Sequence, residues 1–186
     1  MIVNRTTYID QLVRSRGNGL IKIVTGIRRS GKSFLLKKLF RQHLLDDGVQ
    51  DDHIIIIDME SRKNKAFKDP DYLLDYIDNV MKDDNTYYII IDEVQEVNDF
   101  VEVLSTLSVT EGTDVYVTGS NSRFLSSDVV TEFRGRGDEI HVWPLSFKEY
   151  MSVYDGSVEK GWAEYRMYGG CLLYTSDAAD DLIGVD

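Results

Sequence analysis

The 186-residue sequence predicts an α/β fold in which a mostly parallel sheet is covered by helices on both faces. Three observations carry that prediction. Apolar runs recur near residues 21–25, 54–58, 87–92, 114–118 and 139–142, each the length of a buried strand. Segments near 33–45, 70–82, 97–109 and 122–131 read as helices, so strand and helix alternate, as in parallel strands joined by right-handed crossovers. A glycine-bearing turn follows the first strand, and an acidic pair closes a later one. Both belong at the carboxyl edge of such a sheet, where ligands bind.

Taken in order, Ile21, Ile23 and Val24 make the first strand, and residues 26–33 make the turn. In the helix that follows, Leu36, Leu39, Phe40 and Leu44 recur on one apolar face, which places Lys37, Lys38 and Arg41 on the solvent side. The turn spells G-x-x-x-x-G-K-S through Gly26, Ile27, Arg28, Arg29, Ser30, Gly31, Lys32 and Ser33, with Phe34 opening the helix. Glycines let such a loop wrap with its N–H groups inward, and the helix adds its positive dipole end, so a triphosphate meets a nest of donors. Lys32 is expected to reach the β- and γ-phosphate oxygens, and the Ser33 hydroxyl to ligate Mg²⁺.

The stretch from 59 to 71 reads as the longest loop. Beyond it, the strand Tyr88–Ile91 delivers Asp92 and Glu93 at its carboxyl end. Asp92 fits an outer-sphere role toward Mg²⁺, and Glu93 fits a general base that polarises an attacking water. The next strand, from Val115 to Thr118, ends in small polar residues. One of Thr118, Ser120 or Asn121 is a candidate to sense the γ-phosphate or the water. The same hydroxyls equally suit a turn and a helix cap. Arg134 and Arg136 sit on a glycine-bearing loop before the last strand, where either suits charge stabilisation on a transferring phosphate or an ordinary solvated loop.

Composition narrows the partners. A formal charge of −11 argues against non-specific DNA binding, although Arg28, Arg29, Lys32, Lys37, Lys38 and Arg41 concentrate positive charge where a polyanion would be welcome. No apolar run reaches membrane-spanning length, and the single cysteine, Cys171, allows no internal disulfide, so a cytoplasmic location is the default expectation. The histidines, His43, His53 and His141, lack metal-ligand spacing and read as structural or surface residues.

The set GIRRSGKS, YYIIIDEVQEV, VYVTGSNS, GRGDEIHVWPLSFKEY and YGG resembles the N-terminal half of a family of bacterial and archaeal AAA-type P-loop ATPases. Full chains of that family carry a C-terminal domain similar in fold to restriction endonucleases. The resemblance spans residues 20 to 170, and PLSFKEY points to this family in particular. It implies a P-loop NTPase three-layer α/β/α sandwich, with the Walker B strand not adjacent in sequence to the P-loop strand, as in RecA-like ATPases. It also implies ATP and Mg²⁺ as ligands, Lys32 and Ser33 as the phosphate and metal residues, and Asp92 and Glu93 as the Walker B pair. Ser120 becomes a candidate sensor and Arg136 a candidate arginine finger, in an oligomer if one forms. The function expected is an ATPase module, residues 1–170, that drives a missing C-terminal domain, DNA or a protein partner. The alternative is a slow-hydrolysing nucleotide switch or scaffold. GTP is disfavoured because no N-K-x-D element follows at a strand end, and a small-molecule kinase because Glu93 is placed to activate water.

The tail departs from this pattern. After Gly170 the text CLLYTSDAADD is compatible, in reverse translation, with the end of a transposase-based sequencing adapter, and Leu182 and Ile183 fall where a variable index would be read. Residues 171–186 are therefore expected to be an artefact with no stable place in the fold, whose four aspartates inflate the acidity.

Overall fold

The computed structural model describes residues 2–119 and 137–170. Five strands form one sheet: β1 Ile21–Thr25, β2 Ile54–Asp58, β3 Tyr87–Asp92, β4 Thr113–Thr118 and β5 Gly137–His141. Their order is β2-β3-β4-β1-β5, and all four ladders are parallel. β2 therefore intervenes in sequence, and β4 in space, between the strand that feeds the glycine loop and the strand that ends in Asp92 and Glu93.

The strands read as continuous apolar runs because both faces are covered. Alternate residues feed two cores. Ile23, Ile57, Ile89, Ile91 and Val117 pack against Leu73, Ile77, Val103, Leu104 and Leu107 of helices α4 (Pro70–Val80) and α5 (Phe100–Val109). Val24, Ile90, Tyr116 and Ile140 pack on the other side against Leu12 of α1 (Thr6–Arg14) and Leu35, Leu36, Phe40 and Leu44 of the helix after the loop. Each fully buried isoleucine contributes roughly 1.5–3 kcal/mol relative to exposure.

The elements expected near 21–25, 54–58, 87–92, 114–118 and 139–142 all form, within two residues. α4 starts where Asp69 accepts from the Tyr72 N–H and Pro70 takes the first turn, both local signals. The helix expected over 97–109 begins only at Phe100. Asp99 just before it has a left-handed φ of 46°, and Val94–Glu96 is a separate 3₁₀ turn. The stretch expected as a long loop contains a 3₁₀ helix, Arg62–Lys68. The helix after the glycine loop is not uniform: α2 (Lys32–Phe34) passes into a π segment, Leu35–Phe40, and then into α3 (Arg41–Asp46).

Two further helices close the described chain: α6 (Phe147–Met151), begun by a Ser146–Glu149 capping box, and α7 (Val158–Tyr168). They pack through Phe147, Tyr150, Trp162 and Tyr165. The helix expected near 122–131, the residues Ser120, Asn121, Arg134 and Arg136, and the tail from Cys171 lie outside the described residues. No helix among the described residues is long and apolar enough to cross a membrane.

Candidate functional site

The glycine loop leaves β1 at its carboxyl end and is shaped by two backbone positions. Gly26 has φ 139°, and a Cβ there would stand 2.2 Å from the Val142 carbonyl oxygen, so only glycine fits between the loop and the chain leaving β5. Gly31, at φ 92°, turns the chain into α2. Ile27, Arg28 and Arg29 face solvent, whereas Ser30 is fully buried. Its hydroxyl finds no hydrogen-bond partner among the described residues.

Lys32 is buried and folds back over the loop, its Nζ donating to the carbonyls of Gly26 and Ile27, each at 3.0 Å. Burial lowers its pKa below the ordinary lysine value, while Glu93, Asp92 and Glu60 pull in the opposite direction. Ser33 Oγ donates to Asp92 Oδ1 at 2.9 Å. Asp92 is completely buried at the end of β3. The loop hydroxyl and the strand carboxylate therefore meet although 59 residues separate them.

Thr118, one of three candidate sensors, has another part here. Its hydroxyl donates to Asp92 Oδ1 at 2.6 Å and accepts the Glu93 N–H at 2.9 Å. It ties the Asp92 carboxylate and the Glu93 backbone to the end of β4. Glu93 takes a left-handed conformation, φ 57°, which turns its side chain away from the strand direction, and its carboxylate accepts from the Gln95 amide. His141, on β5, lies 3.0 Å from the Thr25 hydroxyl through Nδ1, and His53 lies 3.2 Å from Asp83 through Nε2. No group of three or more histidine, cysteine or acidic residues able to hold a metal occurs among the described residues.

Three residues have contacts at the site that the sequence did not show. Lys37, expected on the solvent side, is half-buried, and its Nζ lies 2.8 Å from both Asp58 Oδ2 and Asp92 Oδ2. Lys37 lies one helical turn beyond Ser33, so it shares the side of the helix that faces Asp92. Burial opposes the charge of Lys37, but its pairing with Asp58 and Asp92 outweighs it and raises its pKa. Asp58 ends β2 directly beside Asp92 in register. Arg5, buried ahead of α1, donates to the Ser30 carbonyl at 2.7 Å, the Trp143 carbonyl at 2.6 Å and Glu149 at 3.1 Å. It fastens the loop to the start of the chain and to the segment that follows β5. An arginine amid polar residues at an N-terminus has no pattern to betray this.

The residues present fit a phosphate chain with a divalent cation. Two positive-φ glycines and a buried, unsatisfied serine hydroxyl line the loop, and Ser33 and Asp92 offer hard oxygens side by side.

Residues 18–151 match the family described as AAA domain. An uncharacterized protein of Haemophilus influenzae is 34% identical over 175 residues, covering 91% of this chain and 44% of the relative. An uncharacterized protein of Methanocaldococcus jannaschii is 30% identical over 142 residues, covering 75% of this chain and 30% of the relative. The chain thus spans less than half the length of these curated relatives. Among solved structures, Caenorhabditis elegans PCH-2 superposes with a TM-score of 0.53 at 16% identity, over 78% of this chain and 43% of that one, a likeness of fold.

Proposed function

The chain belongs to the AAA domain family, and on that premise we propose that it is an ATP·Mg²⁺-binding ATPase module that couples hydrolysis to a conformational change in a partner. In this reading residues 1–170 are the ATP-binding domain, acting in the cytoplasm, and the partner is a C-terminal domain, DNA or another protein. The observation that carries it is the junction of Ser33 with Asp92 beneath the glycine loop, with Lys32 above and Glu93 beside it.

Each residue then has a task. Gly26 and Gly31 let backbone donors face the phosphates. Lys32 exchanges the Gly26 and Ile27 carbonyls for phosphate oxygens, contacts of better charge match for a buried ammonium. Ser33 and Asp92 would hold Mg²⁺, which when bound supplies Lewis-acid polarisation of phosphate oxygens. Thr118 keeps Asp92 and Glu93 aligned, and Glu93 accepts a proton from the attacking water once its carboxylate is freed from Gln95. Ser120 as sensor and Arg136 as finger remain part of the proposal.

The Gln95 contact favours a second reading, a nucleotide switch that hydrolyses slowly because Glu93 is held off the water. Two variants and one assay separate these. Lys32→Ala is expected to lose ATP affinity with the fold intact, and wild-type affinity would refute the cradle. Glu93→Gln is expected to bind ATP yet lose turnover by roughly a hundred-fold or more. Under the switch reading, turnover of the parent is already near zero, and Gln95→Ala raises it.

A further inference from the structure

Asp58 and Asp92 end adjacent parallel strands in the same register, so their carboxylates stand as a like-charged pair at the carboxyl edge of the sheet. The glycine loop uses only one of them, through Ser33 and Asp92 Oδ1. The other oxygen of Asp92 and the Oδ2 of Asp58 are bridged by one ammonium, Lys37 Nζ, at 2.8 Å to each. Asp58 is fixed for this from its other side: its Oδ1 accepts the Glu60 N–H at 3.0 Å and its carbonyl accepts from the Asn64 amide. The exposures differ in a telling way, 1% for the Asp92 side chain, 25% for Lys37 and 36% for Asp58. The bridge has a buried end and a wet end, so its cation can swing toward Asp58 and water without being stranded in the protein.

We propose that Lys37 is a resident counter-ion which neutralises Asp92 in the nucleotide-free chain and yields that contact, retreating to Asp58, when ATP·Mg²⁺ arrives. Asp58 is its parking site, and the pair sets how much Mg²⁺ the site demands. The inference rests on the ATP·Mg²⁺ reading of the loop. Its physical content is competition: any cation drawn to Asp92 has to outbid an ammonium already in contact with it, and the contact kept at Asp58 lowers that cost. The expected size is that of a partly exposed ion pair, about five-fold in a midpoint, or roughly 1 kcal/mol.

The test is the Mg²⁺ dependence of binding of a fluorescent ATP analogue to the whole chain, read without turnover, with Mn²⁺ binding followed by electron paramagnetic resonance as a second readout. Lys37→Met keeps the aliphatic stem and removes the charge, and its half-saturating Mg²⁺ should fall about five-fold. Lys37→Arg should restore the parent midpoint or exceed it. Asp58→Asn removes the parking site and should raise the midpoint. Lys38→Met makes the same charge change one residue along on the exposed side and should move it less than about two-fold. Equal shifts for Lys37→Met and Lys38→Met would reduce the effect to the general field and overturn the inference. So would an unchanged midpoint for Lys37→Met, and so would a higher one, which would instead make Lys37 a phosphate contact. A parent chain that binds no nucleotide at any Mg²⁺ concentration would remove the ATP reading itself, a result distinct from both.

Discussion

Two lysine–aspartate pairs sit on the same face of the sheet at opposite ends of the strands, and they differ in how they are closed. At the amino ends of β1 and β4, Lys22 and Asp114 form an ion pair, with side chains 0% and 3% exposed. Asp114 also accepts from the Tyr116 hydroxyl at 2.9 Å and from the Gly17 N–H at 3.2 Å, and the Lys22 ammonium lies 5.3 Å from the centre of the Tyr116 ring. Burial, reinforced by Asp114, pushes the Tyr116 hydroxyl pKa far up, so it stays a donor. At the carboxyl end, Lys37 bridges Asp58 and Asp92 with one side open to water. A buried charge satisfied on every side by protein is architecture. A buried charge whose counter-ion can leave is a place for a ligand.

The contrast can be broken by removing one member of each pair. Lys22→Met leaves Asp114 buried without its cation and is expected to cost about 3–5 kcal/mol, read as a lower denaturant midpoint. Adding Asp114→Leu to it should recover most of that loss. If Lys22→Met unfolds like the parent, the closed pair is not structural. Gly26→Ala comes next, at about 2 kcal/mol, because the new Cβ meets the Val142 carbonyl at 2.2 Å with φ at 139°. Parent-like stability would mean that the loop shifts freely and is not a rigid cradle. Lys37→Met should cost less than about 1 kcal/mol in thermal or chemical unfolding, since its pair is partly hydrated. Ser30→Ala should be the mildest, within about 0.5 kcal/mol or slightly stabilising, because the buried hydroxyl it deletes has no partner among the described residues. Nucleotide affinity should nonetheless weaken several-fold in Ser30→Ala if that hydroxyl awaits a phosphate oxygen. Unchanged affinity would leave Ser30 with no share in the cradle.

The glycine loop and the acidic pair were legible because their chemistry is local. G-x-x-x-x-G-K-S after an apolar run specifies a turn and a helix start within eight residues, and Asp92 and Glu93 follow directly from the strand that carries them. Asp69 and Pro70 mark the start of α4 in the same way. Helix α1 escaped notice because it buries only Leu12 fully and opens without a side-chain cap. Thr118 read as one of three small polar candidates, and nothing local to it marks its contact with Asp92.

By itself the sequence determined the five strands, their burial on both faces, the loop and the pair Asp92 and Glu93 at the edge. Each of these follows from periodicity and turn chemistry acting over a few residues. Only the tertiary structure decided the strand order β2-β3-β4-β1-β5, which sets β3 beside β2 and puts Asp58 against Asp92. It alone brought Arg5 to Glu149 across 144 residues, closed Lys22 on Asp114 across 92, and set Lys37 between Asp58 and Asp92. A charged side chain in a sequence carries no mark of its partner. The partner is chosen by which strand ends the sheet sets side by side, and by the cost of burying either charge alone.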